Sequence, residues 1–194
     1  MLEQRIQQHF IDSADLKYQA AQTLGKPIAD AVQALLACVT SGSKVLACGS
    51  GVSAALAQAF AAQFVGRFER ERPELAALVL GADLASLTAA DHDQALAKQV
   101  RALGQAGDVL LVLSASGQET SLLEAARAAH EREMTVVALT GRDGGMLCQR
   151  LRETDVHLCV PHERAARIHE LHLLALHCLC DGVDTQLLGE ESPA

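Results

Sequence analysis

Two short loops carry most of the chemistry in this 194-residue chain. In Cys48-Gly-Ser-Gly-Val-Ser53, two glycines permit tight turns beside the hydroxyls of Ser50 and Ser53. In Ser114-Ala-Ser-Gly-Gln-Glu-Thr-Ser121, the polar groups of Ser114, Ser116, Gln118, Thr120 and Ser121 surround another glycine. Each loop follows an apolar run and opens a segment of helical periodicity, so backbone amides and hydroxyls converge on a helix start and suit an anion, phosphate above all. Neither matches the spacing of the nucleotide-binding glycine motifs, and an ordinary capped turn needs much the same residues. A second group comprises His169, His172 and His177. At 100° per residue, 169 and 172 lie about 60° apart and 169 and 177 about 80° apart on one helix. They line one cleft or are satisfied packing histidines. Asp91 and His92 face the same cleft or cap a helix.

These groups need elements to hold them. Five nearly continuous apolar runs, residues 44–48, 75–80, 109–113, 135–140 and 156–160, read as strands covered on both faces, hence a parallel sheet. Ala- and Leu-rich helical segments between them, notably 53–70 and 120–132, give the doubly wound α/β class: a five-stranded parallel sheet flanked by helices, α/β/α in three layers. Two helices, about 2–23 and 28–40, precede the first strand, the second opened by Pro27. A long last helix runs from near Arg164 to about Leu188. Its apolar residues surround nearly its whole circumference, which implies oligomer packing. The expected organisation is N-terminal oligomerisation helices over 1–40, an α/β domain over 41–189 and a frayed tail over 190–194.

Lys44-Val-Leu-Ala-Cys-Gly-Ser-Gly-Val-Ser53, Gly66-Arg67, Arg72-Pro73, Gly107-Asp108-Val-Leu-Leu111, Leu139-Thr-Gly-Arg-Asp-Gly-Gly145 and Arg167-Ile-His-Glu-Leu-His172 together resemble the sugar isomerase (SIS) family, in its phosphoheptose isomerase branch, over nearly the whole chain. The resemblance implies a cytoplasmic homotetramer that interconverts sedoheptulose 7-phosphate and D-glycero-D-manno-heptose 7-phosphate. It also implies a His and a Glu four apart on the helix after the first loop, and a Gln and a His eight apart on the last helix, suited to proton transfer or to a zinc ion. Those positions are Ala59, Gln63, His169 and His177 here, and an Asp expected before Arg167 is Ala166. The phosphate turn, Ser-Thr-Ser-Gly-Asn-Ser in the enzymes, places Glu119 at its last position. Like charges about 4 Å apart repel by roughly 4 kcal/mol at an effective dielectric near 20, enough to weaken phosphate binding severely. Glu119 can instead serve its own helix's dipole.

Residues 67–73, 97–104, 134–140 and 178–181 resemble family members that have lost the isomerase residues and associate with the DnaA replication initiator. The expectation is therefore a non-catalytic homotetrameric adaptor that gathers DnaA at the origin, with no cofactor or metal and with weak sugar-phosphate binding left open. The alternatives are a phosphoheptose isomerase using Gln63, Asp91, His169 and His177, and a sugar-phosphate-binding regulator. Leu187 and Leu188 are candidates to anchor the partner; even-handedly, they pack on their own subunit. Arg67, Arg70 and Arg72, alternating with Glu69 and Glu71, read as a solvated helix end or as a charged rim for a partner.

Composition narrows the classes. A formal charge of −8 and 3% aromatic residues argue against direct nucleic-acid binding. The opening residues lack a secretory apolar region and no run approaches a membrane span, so a cytoplasmic location is expected. Six cysteines without metal-ligand spacing read as mostly buried free thiols, with Cys178 and Cys180 open to a subunit boundary.

Overall fold

The computed structural model describes residues 1–82 and 91–190. All but the first residue of the expected frayed tail therefore lie outside the described residues. The elements, in chain order, are α1 (Leu2–Thr40), β1 (Val45–Gly49), α2 (Val52–Val65), β2 (Ala77–Val79), α3 (His92–Leu103), β3 (Val109–Leu113), α4 (Thr120–Glu131), β4 (Thr135–Gly141), α5 (Gly145–Cys148), β5 (Val156–Val160) and α6 (Ala165–Leu188).

The five strands form one sheet in the order β2-β1-β3-β4-β5, with every neighbouring pair parallel. Successive side chains of a strand point to opposite faces, and both faces here are covered. Val45, Ala47, Leu111 and Leu113 pack into a core with α1, α2 and α6. Leu46, Cys48, Leu110 and Val112 pack into a second core with α3, α4 and α5. β1 and β3 run in register from Val45 beside Val109 to Gly49 beside Leu113, so their carboxyl ends finish level. At the opposite end, buried Asp108 accepts the amides of Lys44 and Gln105 and pairs with the Lys44 ammonium at 2.6 Å, locking the starts of β1 and β3 together.

Two expectations need correction. The N-terminal segment is one helix, with Pro27 inside it. Proline in a helix interior costs about 3 kcal/mol through its missing donor and its ring. Here Ala20 and Leu24 before Pro27, and Ala31, Val32, Leu35 and Cys38 after it, are buried in one core, and Val32 lies against Gly182 of α6. That shared burial keeps both halves in one continuous helix. The second correction concerns α2, which ends at Val65, so Arg67–Arg72 is not a helix end, and Arg72 is buried rather than solvated.

All six cysteines are free: Cys38, Cys48 and Cys180 are buried and the other three half-buried. Burial raises the Cys48 and Cys180 thiols to about 12 and Cys38 to about 11, which keeps them protonated at neutral pH. No helix among the described residues is long and apolar enough to cross a membrane.

Candidate active site

β1 and β3 are neighbours, yet the chain leaves β1 toward β2 on one flank and β3 toward β4 on the other. The helices that follow the two strands therefore part, opening a crevice at their carboxyl ends, the usual ligand position in open parallel sheets. Both glycine loops flank it. In the first, a Cβ at Gly49 would come within 2.5 Å of the Ser53 backbone, so only glycine allows the chain to turn into α2. Ser53 is fully buried with its hydroxyl unpartnered, whereas Ser50 is exposed.

The second loop closes on itself. Ser114 Oγ accepts from the Gly117 amide at 2.6 Å and the Ser116 amide at 3.2 Å, and donates its own proton to Glu119 Oε2 at 2.5 Å. Ser116 Oγ donates to Glu119 Oε1 at 3.0 Å, and the Gln118 amide reaches Oε2 at 3.2 Å. The Glu119 carboxylate thus occupies the polar cradle. It stands at the N-terminus of α4, as its dipole favours, but makes no side-chain cap bond to that helix. Gly117, with φ +68°, is wedged so tightly that a Cβ would lie 2.0 Å from the Gly144 carbonyl oxygen. Thr120 is exposed and Ser121 half-buried in the first turn of α4.

Beside this cradle, Ser116, Gln118, Arg142, Asp143, Pro161 and Glu163 line an open groove of about 500 Å³. Arg142 is held at φ +58°, a left-handed conformation that costs a side-chain-bearing residue energy and recurs at functional sites. Sequence reasoning passed over Arg142 as part of a glycine-rich turn. The signal available was a cation at the end of a strand just before Asp-Gly-Gly.

α2 and α6 lie on the same face of the sheet and meet where Gln63 Oε1 takes the Cys180 thiol at 3.9 Å; just beyond the end of α2, the Phe68 ring packs on His177 of α6, centroids 5.3 Å apart. His169 lies eight residues nearer the start of α6, about 12 Å along the axis, on the end that follows β5. It is half-buried, and burial lowers its pKa below the ordinary 6.5. His172 is fully buried and hydrogen-bonds through Nε2 to the Thr140 carbonyl at 2.9 Å, while its Nδ1 has no partner. It is a packing residue between α6 and the end of β4. Asp91 does not join this group: it is exposed at the start of α3, paired with Lys98, whose hydrogen bond and charge lower its pKa. Leu187 and Leu188 are exposed at the far end of α6.

Arg72 is the other residue that the sequence reading misplaced. Its guanidinium pairs with Asp184 of α6 at 2.5 Å and donates to the carbonyls of Phe64 at 2.9 Å and Gln63 at 3.0 Å, tying the last turn of α2 to α6. The available signal was Asp184 itself, a carboxylate beside Val183 on the long last helix.

The donor set does not suit zinc. Ala59 offers a methyl, Gln63 a neutral amide already engaged, and two imidazoles remain where three or four ligands are wanted. Among the described residues no three His, Cys, Asp or Glu side chains gather at a metal-holding distance.

Burial of His172 has a measurable consequence. Desolvation lowers its pKa from 6.5 to about 4. As pH falls between those values the unfolded chain takes up a proton that the fold refuses. Stability is therefore full above pH 6.5 and decays toward pH 4, by about 3 kcal/mol in all. Urea titrations at pH 7.5 and 4.5 should show that loss, and His172→Gln should remove it while leaving any slope due to other groups. An unchanged slope in the variant would assign the effect elsewhere.

Comparison with known proteins places this geometry. The SIS domain family matches residues 8–141. The chain is 64% identical to a phosphoheptose isomerase of Methylibium petroleiphilum, covering 98% of each chain. Among solved structures, it is similar to the phosphoheptose isomerase of Neisseria gonorrhoeae, with a TM-score of 0.90 and 47% identity over 95% of this chain and 100% of that one. It is likewise similar to that of Francisella tularensis, with a TM-score of 0.91 and 41% identity over 95% and 99%. These relatives overturn the expectation of a non-catalytic DnaA adaptor. The stretches that suggested it lie in segments that also build the common fold, such as β4 and the Arg72 anchor, and they do not separate an adaptor from an enzyme.

Proposed function

Because the chain belongs to the SIS domain family, in its phosphoheptose isomerase branch, we propose that it is a sugar-phosphate isomerase acting on sedoheptulose 7-phosphate. What carries the reading is near full-length identity of 41–64% to phosphoheptose isomerases, together with a polar crevice at the switch point of the sheet. The phosphate end of the substrate is assigned to the loops bearing Ser53, Ser114, Ser116 and Gln118, with Ser50, Thr120 and Ser121 at their rim. Its carbonyl end is assigned to the wall formed by α2 and α6.

Isomerisation moves one proton between C1 and C2 through an enediol, and one between the two oxygens. Ala59 has no proton to move and Gln63 no basic nitrogen, so the work falls to the imidazoles of α6. His169, kept neutral by burial, accepts the carbon-bound proton and returns it to the neighbouring carbon. His177, on the same helix, serves the oxygens, and Gln63 donates a neutral hydrogen bond to the substrate. The apolar surfaces of α1 and α6, with Phe10, Ile11, Leu173 and Leu174 exposed, are assigned to packing between copies in a homotetramer.

The direct test incubates the purified protein with sedoheptulose 7-phosphate and follows the aldoheptose phosphate by nuclear magnetic resonance, with light scattering on the same sample reporting its mass. Turnover of about one per second or faster is expected. No aldose after hours at micromolar protein would overturn the reading.

A further inference from the structure

The cradle between β3 and α4 already holds an anion, and that anion belongs to the chain. Both Glu119 oxygens are engaged, Oε2 by the Ser114 hydroxyl and the Gln118 amide and Oε1 by the Ser116 hydroxyl. Two hydroxyl donors and a backbone amide converging on one carboxylate form the donor set a phosphate oxygen cluster would use. The surroundings are rigid. Ser114 is fully buried and fixed by the Gly117 amide, and Gly117 is locked against the Gly144 carbonyl. Glu119 is the movable member: it is half-buried, and its carboxylate sits on a flexible side chain beside the open groove lined by Ser116 and Gln118.

We propose that Glu119 is a tethered competitor for the phosphate of the substrate. A phosphorylated sugar enters this seat only by exchange: the Glu119 carboxylate leaves the two hydroxyls and the amide for the groove, and phosphate oxygens take their hydrogen bonds. Glu119 thereby determines how tightly phosphorylated ligands bind. The sugar's identity rests on the isomerase reading; the exchange at the seat does not.

The test is calorimetric titration with inorganic phosphate, which probes the seat without turnover. Glu119→Ser removes the competitor and supplies a further hydroxyl, so phosphate should bind at least about tenfold more tightly than to the native chain. Glu119→Gln keeps the size but removes the charge, and should fall between the two. Adding Ser114→Ala to Glu119→Ser should abolish the gain, which locates it at this seat. With sedoheptulose 7-phosphate, Glu119→Ser should lower KM by a similar factor with a smaller change in kcat. If melting shows the serine variant misfolded, the glutamine variant carries the decision. Unchanged phosphate affinity in the folded variants would overturn the proposal. Tighter phosphate binding without sugar turnover would uphold the exchange and overturn the isomerase reading alone.

Discussion

Asp184→Ala is expected to lower the stability of the fold by about 3–5 kcal/mol, the usual consequence of removing one partner from a buried ion pair. The side chains of Arg72 and Asp184 are 1% and 2% exposed, so nothing from solvent replaces the lost charge. The guanidinium would keep its hydrogen bonds to the carbonyls of Gln63, Phe64 and Pro73, and its place 5.7 Å from the Phe64 ring centroid, but with an uncompensated buried charge. At roughly 2–4 °C per kcal/mol for a chain of this size, the melting temperature should fall by roughly 6–20 °C. Asp184→Asn, which retains an acceptor for Arg72 Nε, should lose less. Arg72→Met combined with Asp184→Leu should also lose less than Asp184→Ala alone, because an apolar pair removes both charges together, although it leaves the carbonyls of α2 without their donor. A fall below about 1 kcal/mol in Asp184→Ala would mean that the pair is not desolvated. The same variant reads on the site, since Arg72 fixes α2 against α6 where Gln63 meets Cys180 and Phe68 meets His177.

What was legible beforehand follows from how locally each feature is determined. The strands were legible because a parallel sheet covered on both faces demands apolar runs; 109–113 meets that demand in full, and the bounds of 109–113 and 156–160 match β3 and the edge strand β5 to the residue. The doubly wound class followed from alternating strands and helices, and the site's position followed from the class, since both glycine loops must emerge at the carboxyl ends of their strands. The continuity of α1 was not legible. Pro27 is a sound helix-start signal locally, and only burial of residues on both of its sides against α6 overrules it. Arg72 was misread for a similar reason: four alternating charges before a proline look solvated until Asp184, 112 residues away in the chain, supplies a buried partner. Glu119 was half legible. Its place at the phosphate turn was implied by the resemblance to the family's turn, but its capture by Ser114 and Ser116 depends on the tight closure of the loop around Gly117. Function was misjudged because the losses at 59 and 63 were weighed as loss of chemistry, while α6 kept a His at 177 and carries a further imidazole at 169.

Those histidines carry the largest expected effect on activity. His169→Ala and His177→Ala should each lower kcat/KM for sedoheptulose 7-phosphate by about 10²–10⁴-fold, the range for removing a positioned acid or base. Nothing on the facing stretch of α2 substitutes for them, because Ala59 and Gln63 are not titratable, and the nearby Cys180 thiol is held at about 12 by burial and the neighbouring Asp184 charge. The two variants should differ in their pH dependence. In the proposed mechanism His169 acts unprotonated, and burial holds its pKa below the ordinary 6.5. In the native chain the isomerase rate should therefore hold steady as pH falls through 6.5 and drop only below that lowered value. His177→Ala should keep this acidic limb at a reduced rate, since His169 is still present. His169→Ala should lose the limb altogether, leaving residual activity that no longer depends on that proton. The tilted packing of His177 on Phe68 gives a further check: Phe68→Leu should act mainly through kcat by loosening the ring, with little change in KM. If His169→Ala retained the native rate and the native acidic limb, the carbon-bound proton would have to move through another group, and the assignment of the base to α6 would be wrong.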